Sequence, residues 1–316
     1  MNRKQLYSFI DPLLAPAVYL SGLIMHRARG FGFKNLPLSQ RAMMKAGIYP
    51  IRNHFYEPLF DHTQLRYPLD QVRELPGIDW NVNEQLALLS EFAYGEELKT
   101  HLLAQDEEPV FSFNNRAFEP GDAEYLYSLI RLKKPGRVLE IGSGNSTKVV
   151  VKAIRKNQAE VPDYKCEHTC IEPYLAPWLE QAGVNVIRAR VETLDKSIFG
   201  ALQSGDLLFI DSSHMIRPQG DVLFEYLEIL PTLQSGVIVH THDIFSPRDY
   251  PKAWIVDDFR FWNEQYLLEA FLSCNSQWKI IGALNFLFHS HFERLQEKCP
   301  FLTKASIPGS FYIQKL

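Results

Sequence analysis

The chain has 316 residues, 46% hydrophobic and 22% charged, proportions of a folded globular protein that exclude disorder, collagen-like repeats and coiled coil. Thirty-three Lys and Arg against thirty-seven Asp and Glu leave a net charge of −4 with no basic stripe, so nucleic acid is not an expected partner. The four cysteines, Cys166, Cys170, Cys274 and Cys299, lack CxxC spacing and predict reduced thiols of a cytoplasmic protein rather than a disulfide framework.

The amino terminus carries no charge from Pro12 to Met25, and His26, Arg27 and Arg29 follow directly. That stretch is shorter than a membrane span requires, and Asp11 and Pro16 are expected to interrupt it. A buried or homodimer-forming helix is the preferred reading. The alternative is an interfacial anchor with its basic residues near lipid headgroups, giving peripheral contact with the inner face of the membrane, and a true span ranks last.

Residues 1–108 are rich in prolines, aromatics and short amphipathic pieces such as Asn83 to Phe92, and predict a mainly helical extension. The polar run from Gln105 to Pro109 reads as a linker. From residue 109 to 316 the pattern turns to short β-branched strands alternating with helices, the signature of an α/β domain with helices on both faces of a parallel sheet. A helix starts near Asp122 and ends at Pro135-Gly136. Strands are expected at 137–141, 168–171, 185–189, 207–211 and 237–240, with helices at 146–157, 176–182, 221–230 and 263–273. Two more strands, near 278–288 and 311–314, bring the count to seven.

The strongest local signal is Val138-Leu139-Glu140-Ile141-Gly142-Ser143-Gly144-Asn145-Ser146-Thr147, an apolar strand entering a glycine turn that opens a helix. Glycines let a ligand approach the backbone, and the helix start offers free N–H groups. The turn alone also suits dinucleotides, but no third glycine follows at pyrophosphate-binding spacing. Glu172 ends the next strand in Cys170-Ile171-Glu172-Pro173, where a carboxylate can accept both hydroxyls of a ribose.

With these residues the sequence resembles the class I S-adenosylmethionine-dependent methyltransferases over residues 110–316, and within them the bacterial small-molecule O-methyltransferases of the catechol and macrolide-sugar type. The resemblance implies a Rossmann-like seven-stranded sheet with S-adenosylmethionine as cofactor. It places the methionine part on Gly142, Ser143 and Gly144, the ribose on Glu172, and the adenine beside Val191 and Glu192. Glu140, ahead of the glycines, and Ser146, at the helix start, complete the candidate cofactor-binding set.

A second constellation follows strands four and five: Asp211-Ser212-Ser213-His214 and His240-Thr241-His242-Asp243. The carboxyl ends of adjacent parallel strands are where ligands bind. In the metal-dependent O-methyltransferases this place holds a divalent cation, which implies Asp211, His242 and Asp243 as metal ligands. His242 stands where an acid is usual, which favours Mn²⁺, Fe²⁺ or Zn²⁺ over Mg²⁺. His214, three residues after Asp211, occupies the offset of the catechol-type lysine base and is the candidate proton acceptor, with Asp211 as its catalytic partner. His240, one strand position further in, is expected to pack in the core.

Two polar segments, Arg217 to Asp221 and Phe261 to Tyr266, are candidate acceptor-pocket walls. The aromatic segments Asn53 to Pro58 and Pro76 to Trp80 read as packing in preference to a lid. The function expected is methyl transfer from S-adenosylmethionine to an oxygen of a small molecule or glycan. Its rivals are a metal-dependent oxygenase or hydrolase on a related sheet and a non-catalytic membrane-associated scaffold.

Overall fold

The computed structural model describes residues 3–54, 56–105, 108–115 and 117–316, which form two compact units, 1–66 and 67–316. In the first, helix α1 (Arg3–Phe31) is followed by a single 3₁₀ turn and by α2 (Pro37–Ala46). Asp11, Pro12 and Pro16 all lie inside α1 without ending it, so the interruption expected at Asp11 and Pro16 does not occur. Nor is α1 buried. From Lys4 to Ile24 every residue except Ile10 is exposed, and packing begins only near its carboxyl end, at Ala28. There Arg29 pairs with Glu57 at 2.6 Å and lies over the Tyr49 ring, while Phe33 meets the edge of the same ring. Phe55, within the expected aromatic segment 53–58, falls outside the described residues.

The second unit starts at Tyr67, not at the expected boundary after residue 108. The reason is burial: α3 (Val82–Ser90), α4 (Gly95–Glu97) and the π-type turn Leu98–Leu102 supply Leu88, Leu89, Phe92, Leu98 and Leu102 to the main core. The change of pattern near residue 108 marks entry into the sheet, not the edge of the folded body. Residues 106 and 107 of the expected linker lie outside the described residues.

Beyond them run α5 (Asp122–Lys133), β1 (Arg137–Ile141), α6 (Asn145–Glu160), β2 (Glu167–Ile171), α7 (Pro177–Gln181), β3 (Asn185–Ile187), α8 (Ser197–Gly200), β4 (Leu207–Ile210), α9 (Asp221–Phe224), β5 (Ile238–Thr241), α10 (Glu264–Leu272), β6 (Trp278–Ala283), α11 (Leu284–Ser290), α12 (Phe292–Lys298) and β7 (Phe311–Lys315). The sheet order is β3-β2-β1-β4-β5-β7-β6, parallel except that β7 runs antiparallel to both its neighbours. This is the seven-stranded, mostly parallel architecture expected. β3 and β4 each end one or two residues early, and the largest departure among the strands is β6, which ends at Ala283, with 284–290 helical. An apolar run of that length suits either state, and here Leu284 and Leu287 bury themselves with α12's Leu295 from a helix.

Strand alternation divides the core in two. Leu207 and Phe209 point to the face packed by α5 and α6, whereas Leu208 and Ile210 point to the face packed by α10 and the α9 region. Both faces are dry, as a parallel sheet requires. Ile78 is buried in the second core and Trp80 stacks on Phe286 at 4.9 Å, so the 76–80 segment is packing as expected.

Candidate active site

The strand order reverses between β1 and β4, and a cavity of about 520 Å³ opens at their carboxyl ends, large enough for a cofactor-sized molecule. Its wall includes Gly142, Glu172, Glu192, Asp211, Ser213 and Arg217. Gly142 is required here: its φ is +84°, and a Cβ would lie 2.2 Å from the carbonyl oxygen of Asp211. The β1 and β4 loops approach this closely only because there is no side chain between them.

Glu172 faces the cavity with Oε2 accepting from the backbone N–H and hydroxyl of Ser143, each at 3.2 Å, and Oε1 accepting from the Tyr174 N–H at 2.9 Å. The glycine turn and the β2 carboxylate are thus held together at the cavity, and Glu192 joins them after β3. Of the expected cofactor set, Gly142, Glu172 and Glu192 line the cavity and Ser143 is tied to it through Glu172, while Gly144, Glu140 and Ser146 do not line it. Glu140 and Ser146 are buried behind the turn, where Glu140 accepts from Thr147 Oγ1 at 2.8 Å and Ser146 Oγ at 3.4 Å and meets His168 Nε2 at 2.5 Å. They brace the turn from below, because position 140 points to the α6 side of the sheet.

Beyond the cavity, β4 and β5 bring Asp211, His214 and Asp243 together, with one ligand atom of each within 4.8 Å of the others. His214 Nε2 is 3.3 Å from Asp211 and 3.6 Å from Asp243, and Nδ1 is 2.7 Å from Glu264 at the start of α10. His214 and Asp243 both hold left-handed backbone, at φ 58° each. Such conformations cost about 1 kcal/mol or more apiece for non-glycine residues and concentrate at functional sites.

His242 borders the same carboxylates through Nδ1. It continues the face of His240 and stacks near it, meets the Phe118 ring, and directs Nε2 toward Asp122 at 3.6 Å while Nδ1 stays 3.5 Å from Asp243 and 3.8 Å from Asp211. The expected set Asp211, His242 and Asp243 thus lies together, and His214 is a second imidazole facing the same two carboxylates. His240 is buried between Phe209 and Tyr312, in the core as expected, and burial holds its pKa well below the ordinary histidine value.

Charges at the site are strongly shifted. Burial opposes the charged form of Asp211, but the His214 hydrogen bond and the neighbouring imidazoles prevail and hold its pKa at about 2. Burial likewise disfavours imidazolium at His214, yet the bonds to Asp211 and Glu264 raise its pKa well above 6.5. At His242, burial is outweighed by the charge of Asp243 and the bond to Asp122, and the pKa rises to about 10. With Nδ1 held by Glu264, His214 turns Nε2 toward Asp211 and Asp243. The donor set does fit a divalent cation of borderline character: two carboxylates, and an imidazole whose far nitrogen is held by a buried acid.

Glu264 lies in the segment expected as an acceptor-pocket wall, but it braces His214 and does not line the cavity. The signal for it was the polar run Asn263-Glu264-Gln265 where apolar packing was expected; these side chains brace the loops, with Asn263 Oδ1 accepting from Ile216 N–H and Gln265 Oε1 from Phe245 N–H. Trp262 packs on the His214 ring at 4.3 Å. Arg217, by contrast, does line the cavity, 3.6 Å from Asp221.

Residues 139–244 match the family model described as a methyltransferase domain, Methyltransf_24. An uncharacterized protein of Archaeoglobus fulgidus is 28% identical over 174 residues, 49% of this chain and 74% of its own. Among solved structures, an O-methyltransferase from Bacillus cereus in complex with SAH is 12% identical, covering 75% of this chain and 98% of its own at a TM-score of 0.37. The O-methyltransferase TomG from Streptomyces achromogenes in complex with SAM is 16% identical, covering 75% and 96%, again at 0.37. The matched segment contains β1 to β5, the glycine turn, Glu172, Asp211 and Asp243. Over residues 139–244 the chain is therefore similar to a methyltransferase domain.

Proposed function

We propose that residues 67–316 catalyse methyl transfer from S-adenosylmethionine to an oxygen of a small-molecule or glycan acceptor, with Asp211, His214 and Asp243 holding a divalent cation beside the cofactor. The observation that carries this reading is the convergence of those three side chains at the carboxyl edge of β4 and β5, next to the cofactor-sized cavity. In the reaction the bond from sulfur to methyl carbon breaks with its electron pair left on sulfur, a carbon–oxygen bond forms, and the acceptor hydroxyl gives up its proton. A bound cation would supply positive charge that acidifies and orients that hydroxyl. Gly142 and Glu172 fix the two ends of the cofactor, so that its methyl is aligned for in-line attack. The proton passes to water at the open cavity, since Asp211 is held ionised and committed to the cation site. Glu264 holds Nδ1 of His214 and so keeps Nε2 directed at the cation site. The cavity wall continues past Asp211 with Ser212, Ser213, Arg217 and Gln219, a polar surface that suits a hydroxylated acceptor.

Elemental analysis of purified protein tests this. About one equivalent of Mn, Fe or Zn is expected, lost in Asp243→Ala while S-adenosylmethionine binding persists. Metal-free protein whose methyl transfer is indifferent to chelator and to added cations would overturn the metal assignment. The membrane contact and the homodimer expected of the amino terminus both fall on α1.

A further inference from the structure

We propose that α1 is a membrane-spanning anchor, inserted across the hydrocarbon core of a lipid bilayer rather than lying on its surface or pairing with a second copy. The first argument is length. Leu6 to Met25 is a run of twenty residues with one charged side chain, Asp11, and as uninterrupted helix it measures about 30 Å, the thickness of a bilayer's hydrocarbon core. Its most apolar 18-residue window has a mean hydropathy of 1.5, and none of that window is buried.

The second argument is the distribution of apolar side chains around the helix. Successive residues are rotated by about 100°, so Val18, Tyr19 and Leu20, all at least 60% exposed, already face three directions, and Phe9, Leu13, Leu23 and Ile24 fill others. An interfacial helix needs a strongly polar face, and a helix pairing in water buries one stripe. From Pro12 to Met25 there is no polar face: Ser21 is the one hydroxyl besides Tyr19, and no side chain is charged. A helix that is apolar all round requires an apolar medium on every side.

The third argument lies at the ends. Arg3 and Lys4 precede the apolar run and His26, Arg27 and Arg29 follow it, placing basic groups at both headgroup layers. Ser8 Oγ donates to the Gln5 carbonyl, so this hydroxyl is paired within the helix, as hydrocarbon demands. Pro12 and Pro16 are compatible with this, since prolines are tolerated in membrane helices.

The test uses the full chain. Membranes from expressing cells are washed with alkaline carbonate and then extracted with detergent, and intact mass is measured. The anchor predicts retention through the wash, release by detergent, and a mass that includes residues 1–31. The double variant Val18→Arg/Leu20→Arg should shift most of the protein to the supernatant, whereas Leu38→Arg, on the exposed surface of α2, should not. Equal melting temperatures for the double variant and the parent in detergent would show that the shift is not unfolding. Release by carbonate would overturn the proposal in favour of surface contact. A soluble dimer through α1 would overturn it in favour of a second copy, and a mass lacking the segment would show a removed leader.

Discussion

At the scale of single residues, position 142 admits no side chain. Gly142→Ala combines a left-handed backbone, costing about 1–2 kcal/mol, with a Cβ that overlaps the Asp211 carbonyl. The expected result is a melting temperature lower by roughly 3–6 °C and cofactor affinity reduced at least about tenfold, read by scanning calorimetry and ligand titration. Parental affinity in this variant would show that the two loops need not meet. Glu264 can be separated from the residues that face the cavity: Glu264→Gln keeps the shape but removes the charge behind His214, and metal affinity should fall about 10- to 100-fold with cofactor binding unchanged. Unchanged metal affinity would reduce Glu264 to a packing role. Gly142, Glu172, Asp211 and Asp243 were legible in the sequence because each stands at or just past the tip of an apolar strand. That His214 meets the same carboxylates as His242 was not, because it depends on side-chain direction. Residue 242 keeps the face of His240, while the left-handed backbone at 214 turns that ring toward the carboxylates.

At the scale of elements, α5 carries a titratable lock. Glu124 Oε2 accepts from the Gly121 N–H and Oε1 from the Phe301 N–H, both at 2.7 Å, tying the helix start to the loop after α12. Burial outweighs these bonds and pushes its pKa up to about 7. The folded value lies above the unfolded one of 4.5, so this group's stabilisation is complete below about pH 4.5 and is lost as pH rises to about 7. Relative to Glu124→Gln, the parent should lose up to about 3 kcal/mol across that window and nothing further above it, measured by denaturant unfolding at each pH. A constant difference between the two proteins would contradict the burial argument. The elements of the parallel sheet could be read because β-branched strands alternate with longer helices. The helical 284–290 could not, since Leu-Asn-Phe-Leu-Phe is apolar enough for either state and only its neighbours decide. The continuity of α1 through two prolines was equally hidden, because local chemistry argues for a break there.

For the whole molecule, the alternation of strands and helices announced an α/β domain, but not that β7 would insert antiparallel between β5 and β6, nor that residues 67–105 would join its core. Both are long-range packing outcomes. The strand order nevertheless fixes the location of the chemistry, since its reversal between β1 and β4 opens the cavity that Gly142, Glu172 and Asp211 share. Calorimetric titration of the full chain with S-adenosylhomocysteine, alongside Glu172→Ala, tests that placement most directly. One molecule should bind per chain, and the substitution should weaken binding by about 1–3 kcal/mol through loss of a charged acceptor. Absence of binding to the parent, or equal affinity in the two proteins, would contradict the assignment of this cavity to the methyl donor.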